Sequence, residues 1–154
     1  SKGLCGAASM KMIMDFYVIN HSEMYWAKLT AVKIDKKTGK IDRNFGCSEF
    51  KMVEVAQSLG FKGFVKQHST VNELKKFLEK KIPVIVNWFS PEEGAHFSVV
   101  IGFEKGNIIL ADPHFGEFRK YKIEWFEDRW FDSVPYPIKS VEDLILRGII
   151  VWYK

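Results

Sequence analysis

The sequence predicts an α+β fold in which a helical half is followed by a half built on an antiparallel sheet. Up to residue 81, apolar residues recur mostly at intervals of three and four, the spacing of amphipathic helices. Beyond residue 82, short β-rich runs alternate with Gly, Pro or charged turns. The 154 residues fit one domain with a buried core. A cleft between the two halves is the natural place for a functional site.

Three helices are predicted in the first half, over residues 5–17, 48–59 and 70–81. In the first and the third of them the apolar residues fall on one face, which can pack against a core. Ser48 can cap the second helix at its start, and Gly60 can end it. The segment of residues 34–45 is polar and turn-rich, which predicts a loop or a short hairpin.

Strands are predicted in the second half over residues 83–89, 96–103, 107–111, 117–123 and 148–153. Two short helices are predicted between the last two of these strands, over residues 124–130 and 141–146. Helices first and an antiparallel sheet afterwards form an α+β pattern with two halves.

The composition excludes several classes of protein. The chain has 47% hydrophobic and 27% charged residues, the balance of an ordinary globular protein. Its net charge of +4 comes mainly from lysines scattered among acidic residues, so nucleic-acid binding is not predicted. The longest apolar run, residues 82–89, contains Pro83 and Asn87 and is too short to span a membrane. No membrane span is therefore predicted in this chain.

The start of the chain and its cysteines bear on the cellular context. No signal peptide is visible, and the first residue is Ser1 rather than Met, so an excised domain or a processed product is expected. Two cysteines are too few for a disulfide framework. If Cys5 is a free thiolate, Cys47 has no partner within the chain, which favours reducing conditions. A cytoplasmic location is favoured over secretion, and the compartment otherwise stays open.

Cys5 and His96 are the first two candidate site residues. Cys5 lies in the first turn of a predicted helix, where unpaired amide groups and the positive end of the helix dipole favour the reactive thiolate. His96 follows a turn-like segment and opens a predicted strand, so it is expected at the rim of the sheet, where it can face a cleft. Either residue alone is weak support for a catalytic site.

Asp112 is the third candidate. It ends the strand that follows the strand of His96, directly before a proline that stops ladder pairing. Residues 104–106 between the two strands are interpreted as a three-residue hairpin loop, with Gly106 in the position that needs a left-handed backbone.

The predicted loop fixes the register of the two strands. In that register Phe103 pairs with Asn107 and Ser98 pairs with Asp112. His96 then lies on the same face as Asp112, one diagonal step away at about 7 Å between Cβ atoms. A shorter, two-residue turn would instead place them on opposite faces, so the hypothesis requires the longer loop.

Together these residues form the nucleophile, base and orienting group of covalent catalysis. The Cys5 thiolate would attack a peptide carbonyl, and His96 would protonate the leaving amine. Asp112 would fix the tautomer of the imidazole. The backbone N–H of Cys5 at the helix start is a candidate donor to the oxyanion.

A metal site is the less favoured interpretation. The three candidate residues and His114 are of types that bind zinc, but no short paired ligand spacing supports such a site. His21 and His68 lie in polar contexts without a spacing signal. We therefore predict neither a metal nor another cofactor.

Three ordered motifs carry a family resemblance: CGAASM from residue 5, GAHFSVVIGF from residue 94 and IILADPHFG from residue 108. They resemble the bacteriocin-processing cysteine peptidases, papain-like domains that precede ABC exporters and cut leader peptides after a double glycine. The sixteen-residue step from His96 to Asp112 matches that family. The resemblance covers roughly residues 3–130. We expect one papain-like domain over residues 1–154, in which residues 132–154 are an extension that completes the sheet.

The resemblance implies a cysteine peptidase with Cys5, His96 and Asp112 as its triad. It implies a peptide substrate with small residues before the cut, and an ABC exporter or other domain as a fused or separate partner. The family also has an oxyanion-hole glutamine six residues before its cysteine, a position that falls before Ser1 and is not present here. Gln57 does not match that motif, and neither does the glutamine at position 67.

Two other functions are compatible with the same residues. One is a papain-like domain that holds a peptide or partner without cutting it, an alternative that stays open because the position of the family's glutamine falls before Ser1. The other is acyl transfer from the acyl enzyme to an amine instead of to water. The presence of all three candidate residues favours hydrolysis.

Overall fold

The computed structural model describes residues 3–113, 116–133 and 138–154. Its α-helices are α1 (Cys5–Phe16), α2 (Glu23–Thr30), α3 (Glu49–Ser58), α4 (Val71–Glu79) and α5 (Ile123–Glu127). Its strands are β1 (Lys62–Lys66), β2 (Val84–Ser90), β3 (Gly94–Glu104), β4 (Asn107–Asp112), β5 (Glu117–Lys122), β6 (Phe131–Ser133), β7 (Leu144–Leu146) and β8 (Gly148–Tyr153). A single 3₁₀ turn over Val141–Asp143 precedes β7.

Six strands form one sheet in the order β1-β8-β2-β3-β4-β5. All neighbours in this sheet are antiparallel. The last strand of the chain, β8, lies between β1 and β2, so the C-terminal residues are part of the sheet interior. β6 and β7 pair separately as a short antiparallel ribbon.

The sheet separates two hydrophobic cores. Because successive side chains of a strand point to opposite faces, β2 contributes Ile85 to one core and Val84 and Val86 to the other. Helices α1, α2 and α3 cover the first face, and α4 and α5 contribute to the second. Within the described part of the chain, no helix is both long and apolar enough to cross a bilayer.

The helices predicted over residues 48–59 and 70–81 are confirmed as α3 and α4. Ser48 caps α3 by accepting a hydrogen bond from the Lys51 N–H at 3.3 Å. Thr70 and Glu73 form a capping box at the start of α4. These local hydrogen bonds explain why the sequence signals were sufficient there.

Four elements differ from the prediction, and one of them is strand β6, which was not predicted. Helix α2 and strand β1 were not predicted, although Ser22 caps α2 by accepting from the Tyr25 N–H at 3.1 Å. The helix predicted over residues 141–146 is wrong. Only a 3₁₀ turn forms there, because Leu144–Leu146 pairs with β6 as a strand.

A buried amide links two carboxyl groups behind the sheet. Asn87 on β2 is 1% exposed and hydrogen-bonds the side chains of Glu49 on α3 and Asp132 on β6. Burial is the largest influence on both carboxyl groups and raises the pKa of each, although the hydrogen bonds with Asn87 lower it. Asp132 also accepts a hydrogen bond from the Ser133 N–H at 2.7 Å.

We expect Asp132→Asn to raise the melting temperature at pH 7 and to have less effect at pH 4. A carboxyl group whose pKa is raised by folding binds its proton more tightly in the folded chain. Its contribution is therefore favourable below the unfolded pKa and is lost as the pH rises through the folded value. An amide avoids that loss and can still accept from the Ser133 N–H.

Thermal unfolding between pH 4 and pH 8 measures this effect, with Asp128→Asn as a control on an exposed aspartate. If Asp132→Asn instead lowers the melting temperature equally at every pH, the ionised Asp132 does not destabilise the fold.

Candidate active site

Cys5 is the first residue of α1 and is partly exposed. The N-cap position is Leu4, and no side chain caps this helix among the residues that the structure describes. Helices α2, α3 and α4 are all capped by a Ser or Thr side chain. The amide groups of the first turn of α1 are thus not taken up by a capping side chain, and the positive end of the helix dipole is directed at the thiol.

The first turn of α1 packs closely on the second cysteine. Cys47 is 9% exposed, and its side chain hydrogen-bonds the Thr30 hydroxyl and the backbone of Ala7. Burial is the largest influence on the Cys47 thiol and raises its pKa, whereas both hydrogen bonds lower it. Both cysteines are free thiols. Cys47 therefore supports the helix start that carries Cys5 and is not itself poised to react.

Gly6 allows this close packing. A Cβ atom at residue 6 would lie 2.5 Å from Cε of Met52 and 2.8 Å from Cβ of Cys47. The methionine end is flexible, but the Cβ of Cys47 is fixed by its backbone. No side chain larger than hydrogen fits here without displacing the start of α1.

We expect Gly6→Ala to destabilise the fold by about 1–3 kcal/mol, the usual cost of overpacking, and to shift Cys5. Chemical denaturation measures the first effect, and the alkylation rate of Cys5 measures the second. Gly102→Ala is a matched control, because a Cβ there would meet its nearest neighbour at an ordinary 3.7 Å. Equal stability of the two variants would contradict the packing argument.

His96 and Asp112 are in direct contact inside the protein. His96 Nε2 lies 3.0 Å from Asp112 Oδ1, and the two residues are 2% and 1% exposed. His96 is the third residue of β3, because the strand begins at Gly94 instead of at the histidine as predicted. Asp112 is the last residue of β4, as predicted. Burial excludes water from this contact and so strengthens it.

The turn that joins β3 to β4 is shorter than predicted. Glu104 pairs with Asn107, and the predicted pairing of Phe103 with Asn107 is wrong. The turn consists of Lys105 and Gly106, with φ of 48° and 79°. Positive φ at both central residues is typical of the two-residue turn whose twist matches that of the flanking strands.

A β-bulge restores the register that the longer loop was predicted to give. Without a bulge, the two-residue turn would place Asp112 opposite Val99 and on the face away from His96. The ladder shifts by one residue at Ile101, between the paired residues on either side. Continued to the end of β4, the shifted register places Asp112 opposite Ser98, and the contact with His96 follows.

The Cys5 side chain lies within hydrogen-bonding reach of the same imidazole. Burial, the largest influence, lowers the pKa of His96, but hydrogen bonds with Asp112 and Cys5 and the charges of both groups raise it, to about 9. Because Nε2 contacts Asp112, Nδ1 is the ring nitrogen available to the thiol. The structure therefore brings all three candidate residues together.

Two neighbours of the pair were not identified from the sequence. The Trp88 ring lies 6.0 Å from the His96 ring, edge to face, and its Nε1 donates to Ser98 Oγ at 3.0 Å. Arg119 Nη1 lies 4.0 Å from Asp112 Oδ2. Trp88 pairs directly with His96 across β2 and β3, so strand pairing was the signal that could have found it.

The other candidate residues have structural positions or lie outside the described chain. His21 stacks on Tyr25, with 4.0 Å between ring centroids, and the backbone N–H of His68 donates to Leu146. The amide of Gln57 donates to the Gly63 carbonyl. Residue 114 lies outside the described residues. Among residues 3–113, 116–133 and 138–154, no group of three or more His, Cys, Asp or Glu side chains could hold a metal ion.

An apolar groove of about 270 Å³ adjoins the strand that carries Asp112. Its walls come from α1, β3, β4 and β5, together with the residue before β2. The lining residues are Met12, Ile13, Phe16, Pro83, Val99, Ile101, Ala111 and Phe118. The bulge residue Ile101 is 41% exposed and Phe118 is 74% exposed, so the groove presents apolar side chains to solvent.

Solved structures share this fold over nearly the whole chain. The peptidase domain of Streptococcus ComA, a bi-functional ABC transporter involved in a quorum-sensing pathway, is 21% identical with a TM-score of 0.67, covering 100% of this chain and 94% of its own. A chain from Bacillus anthracis assigned as a C39-like peptidase is 16% identical with a TM-score of 0.67, covering 100% and 90%. At these identities the likeness establishes the papain-like α+β fold alone.

A third similar structure is a double glycine motif protease from an AMS/PCAT transporter in complex with the leader peptide. It is 19% identical with a TM-score of 0.61, and the match covers 96% of this chain and 82% of the other. None of the curated proteins compared with this chain matches it. The sequence model of the Peptidase_C39 like family matches residues 1–136. The chain therefore belongs to the Peptidase_C39 like family.

Proposed function

We propose that this protein is a cysteine peptidase that hydrolyses peptide bonds, with Cys5 as nucleophile, His96 as acid and base and Asp112 as the group that orients the imidazole. The observation that carries the proposal is the buried contact of 3.0 Å between His96 Nε2 and Asp112 Oδ1, with Cys5 in reach of the same ring. A buried histidine paired in this way and adjacent to a thiol at a helix start is the arrangement that covalent catalysis requires.

The pairing sets the protonation state before reaction. With its pKa raised to about 9, His96 remains an imidazolium at neutral pH and stabilises a thiolate on Cys5. The Asp112 carboxylate accepts the hydrogen bond from Nε2, so Nδ1 is held toward the sulfur with its proton. The reactive pair is thus a thiolate and an imidazolium.

Hydrolysis proceeds in two halves. The Cys5 sulfur bonds to the carbonyl carbon, and the π electrons move onto the carbonyl oxygen. His96 then gives its Nδ1 proton to the amide nitrogen, the C–N bond breaks and the amine leaves. In the second half, water attacks the thioester while His96 takes one of its protons. The C–S bond breaks, releasing the acid and regenerating the thiolate.

The oxyanion of each tetrahedral intermediate needs a donor. The backbone N–H of Cys5 is the donor that we propose, because it lies in the uncapped first turn of α1. The positive end of the helix dipole favours the same negative charge.

The substrate that we propose is a leader peptide cut after small residues such as Gly-Gly. Support comes from the likeness to a double glycine motif protease bound to a leader peptide. The apolar groove between α1 and the sheet would hold apolar side chains of such a peptide away from the cut. We also propose that an ABC exporter, or another domain in the same chain or a separate one, supplies or receives the peptide, as the likeness to an ABC transporter's peptidase domain suggests.

A cleavage assay tests the function directly. Synthetic peptides with an amphipathic segment followed by Gly-Gly and a short cargo are incubated with the protein, and products are identified by mass spectrometry. The proposal predicts a cut after the glycines that Cys5→Ala abolishes. Binding of the peptides equally by both proteins, with no product from either, would favour a peptide-binding domain. A product joined to an added amine would favour acyl transfer.

A further inference from the structure

The net positive charge of the chain arises from one segment. Residues 28–43 contain six of the 23 lysine and arginine residues but only two of the 19 acidic ones. The remaining 17 residues of each sign balance, so this segment accounts for the whole net charge of +4. It runs from the end of α2 through the turn-rich loop that follows it.

Three cations of this segment line one concave site. A cavity of about 410 Å³ between α2 and the loop is lined by Lys28, Lys40 and Arg43, with Thr38, Met24 and Ile41 between them. Among the described residues, no acidic side chain lines it. None of its three cations makes an ion pair with any of the residues that the structure describes.

The two acidic residues of the segment are occupied elsewhere. Asp35 accepts hydrogen bonds from the backbone N–H groups of Lys37 and Thr38, at 2.8 and 3.1 Å. Asp42 accepts from the Asn44 N–H and lies 4.0 Å from Lys33 Nζ. The carboxylates thus hold the loop in shape, and the positive potential of the cavity is left for an outside anion.

The loop that forms the cavity also contacts the start of the candidate active site. The Arg43 carbonyl packs against Gly3, two residues before Cys5. A Cβ on Gly3 would lie 2.1 Å from that oxygen. Gly3 has φ of +78°, so this approach depends on glycine in both space and backbone conformation. The basic cavity is therefore attached to the segment that leads into the nucleophile.

We propose that this cavity binds an acidic stretch of the peptide substrate, an inference that rests on the proposed peptidase function. Its volume of about 410 Å³ exceeds what one small anion would fill and lies in the range of sites for ligands of several residues or rings. Met24 and Ile41 provide apolar contact for the stems of acidic side chains, and the three cations and the Thr38 hydroxyl provide donors to their carboxylates.

Binding to a cleavage-deficient protein tests the inference without requiring activity. ¹⁵N-labelled Cys5→Ala protein is titrated with capped tetraglutamate and, separately, with capped tetraglutamine. Tetraglutamate is expected to shift the amide signals of residues 28 and 38–43, and tetraglutamine is not. Replacing Lys28, Lys40 and Arg43 by Gln together is expected to weaken tetraglutamate binding at least about tenfold.

The matched control is the double variant Lys36→Gln with Lys37→Gln, which replaces two cations of the same loop outside the cavity. This double variant is expected to change the affinity for tetraglutamate less than about twofold. Equal binding of both peptides, or an affinity that the triple replacement leaves unchanged, would overturn the inference. So would inorganic phosphate that produces the same shifts at the same concentration. A protein that binds tetraglutamate but cuts no peptide would contradict the peptidase function alone.

Discussion

Peptide cleavage is expected to fall by at least about a thousandfold when His96 is replaced by alanine, because one residue supplies both the proton for the leaving amine and the base for water. The loss should appear in kcat, since these proton transfers occur in the transition states. The variant also removes the positive charge that stabilises the Cys5 thiolate, so alkylation of Cys5 should slow in parallel.

His21→Ala is the matched control, because His21 is exposed and stacks on Tyr25 in α2. It should leave cleavage and alkylation unchanged. Circular dichroism and thermal unfolding check that His96→Ala retains the fold, since the removed imidazole is 2% exposed. A folded His96→Ala protein that still cuts at close to the original rate would refute the role assigned to this residue.

Replacement of Asp112 separates its hydrogen bond from its charge. Asp112→Ala leaves buried His96 Nε2 without this acceptor, which is expected to cost about 1–3 kcal/mol of stability and to release the ring from its orientation. Asp112→Asn keeps an acceptor of the same shape and should retain most of the stability. Cleavage should be lost in the alanine variant and reduced less in the asparagine variant.

The pH profile distinguishes this role from a structural one. Folding raises the pKa of His96 from 6.5 to about 9, so the stabilisation by the imidazolium is fully present below pH 6.5 and is lost as the pH rises through about 9. The alkaline limb of kcat/KM should therefore lie near pH 9. It should move to lower pH in Asp112→Asn, because the attraction of the carboxylate is gone. An unmoved limb would contradict the coupling of the two residues.

Local sequence signals predicted the elements that local contacts stabilise. Helices α3 and α4 were predicted correctly because their capping residues, Ser48 and Thr70, accept hydrogen bonds from the first turn of the same helix. Strand β1 contains Gly63 and is held by pairing with β8, nearly ninety residues later in the chain, which no local pattern reveals. The helix predicted over residues 141–146 failed for the same reason, since pairing with β6 outweighed its helical spacing.

The residues of the candidate site could be predicted from the sequence, but the way in which the fold brings them together could not. The contact of His96 with Asp112 was expected from a three-residue loop, whereas the chain uses a two-residue turn and a bulge at Ile101. A bulge arises from how a strand packs and twists against its neighbours, so an isoleucine in a β-rich run does not by itself predict one. Arg119 was missed because its proximity to Asp112 depends on the register of β5 against β4.

The most direct test of the central claim is the alkylation of Cys5 by iodoacetamide between pH 5 and pH 10, with N-acetylcysteine as the reference thiol. An ordinary thiol is only about 1% thiolate at pH 6.5, so an ion pair with His96 should make Cys5 react at least about tenfold faster there than the reference. His96→Ala should remove that advantage, and buried Cys47 should stay unlabelled in both proteins. A Cys5 rate that follows the reference thiol across the whole range, whatever residue occupies position 96, would contradict a thiolate–imidazolium pair.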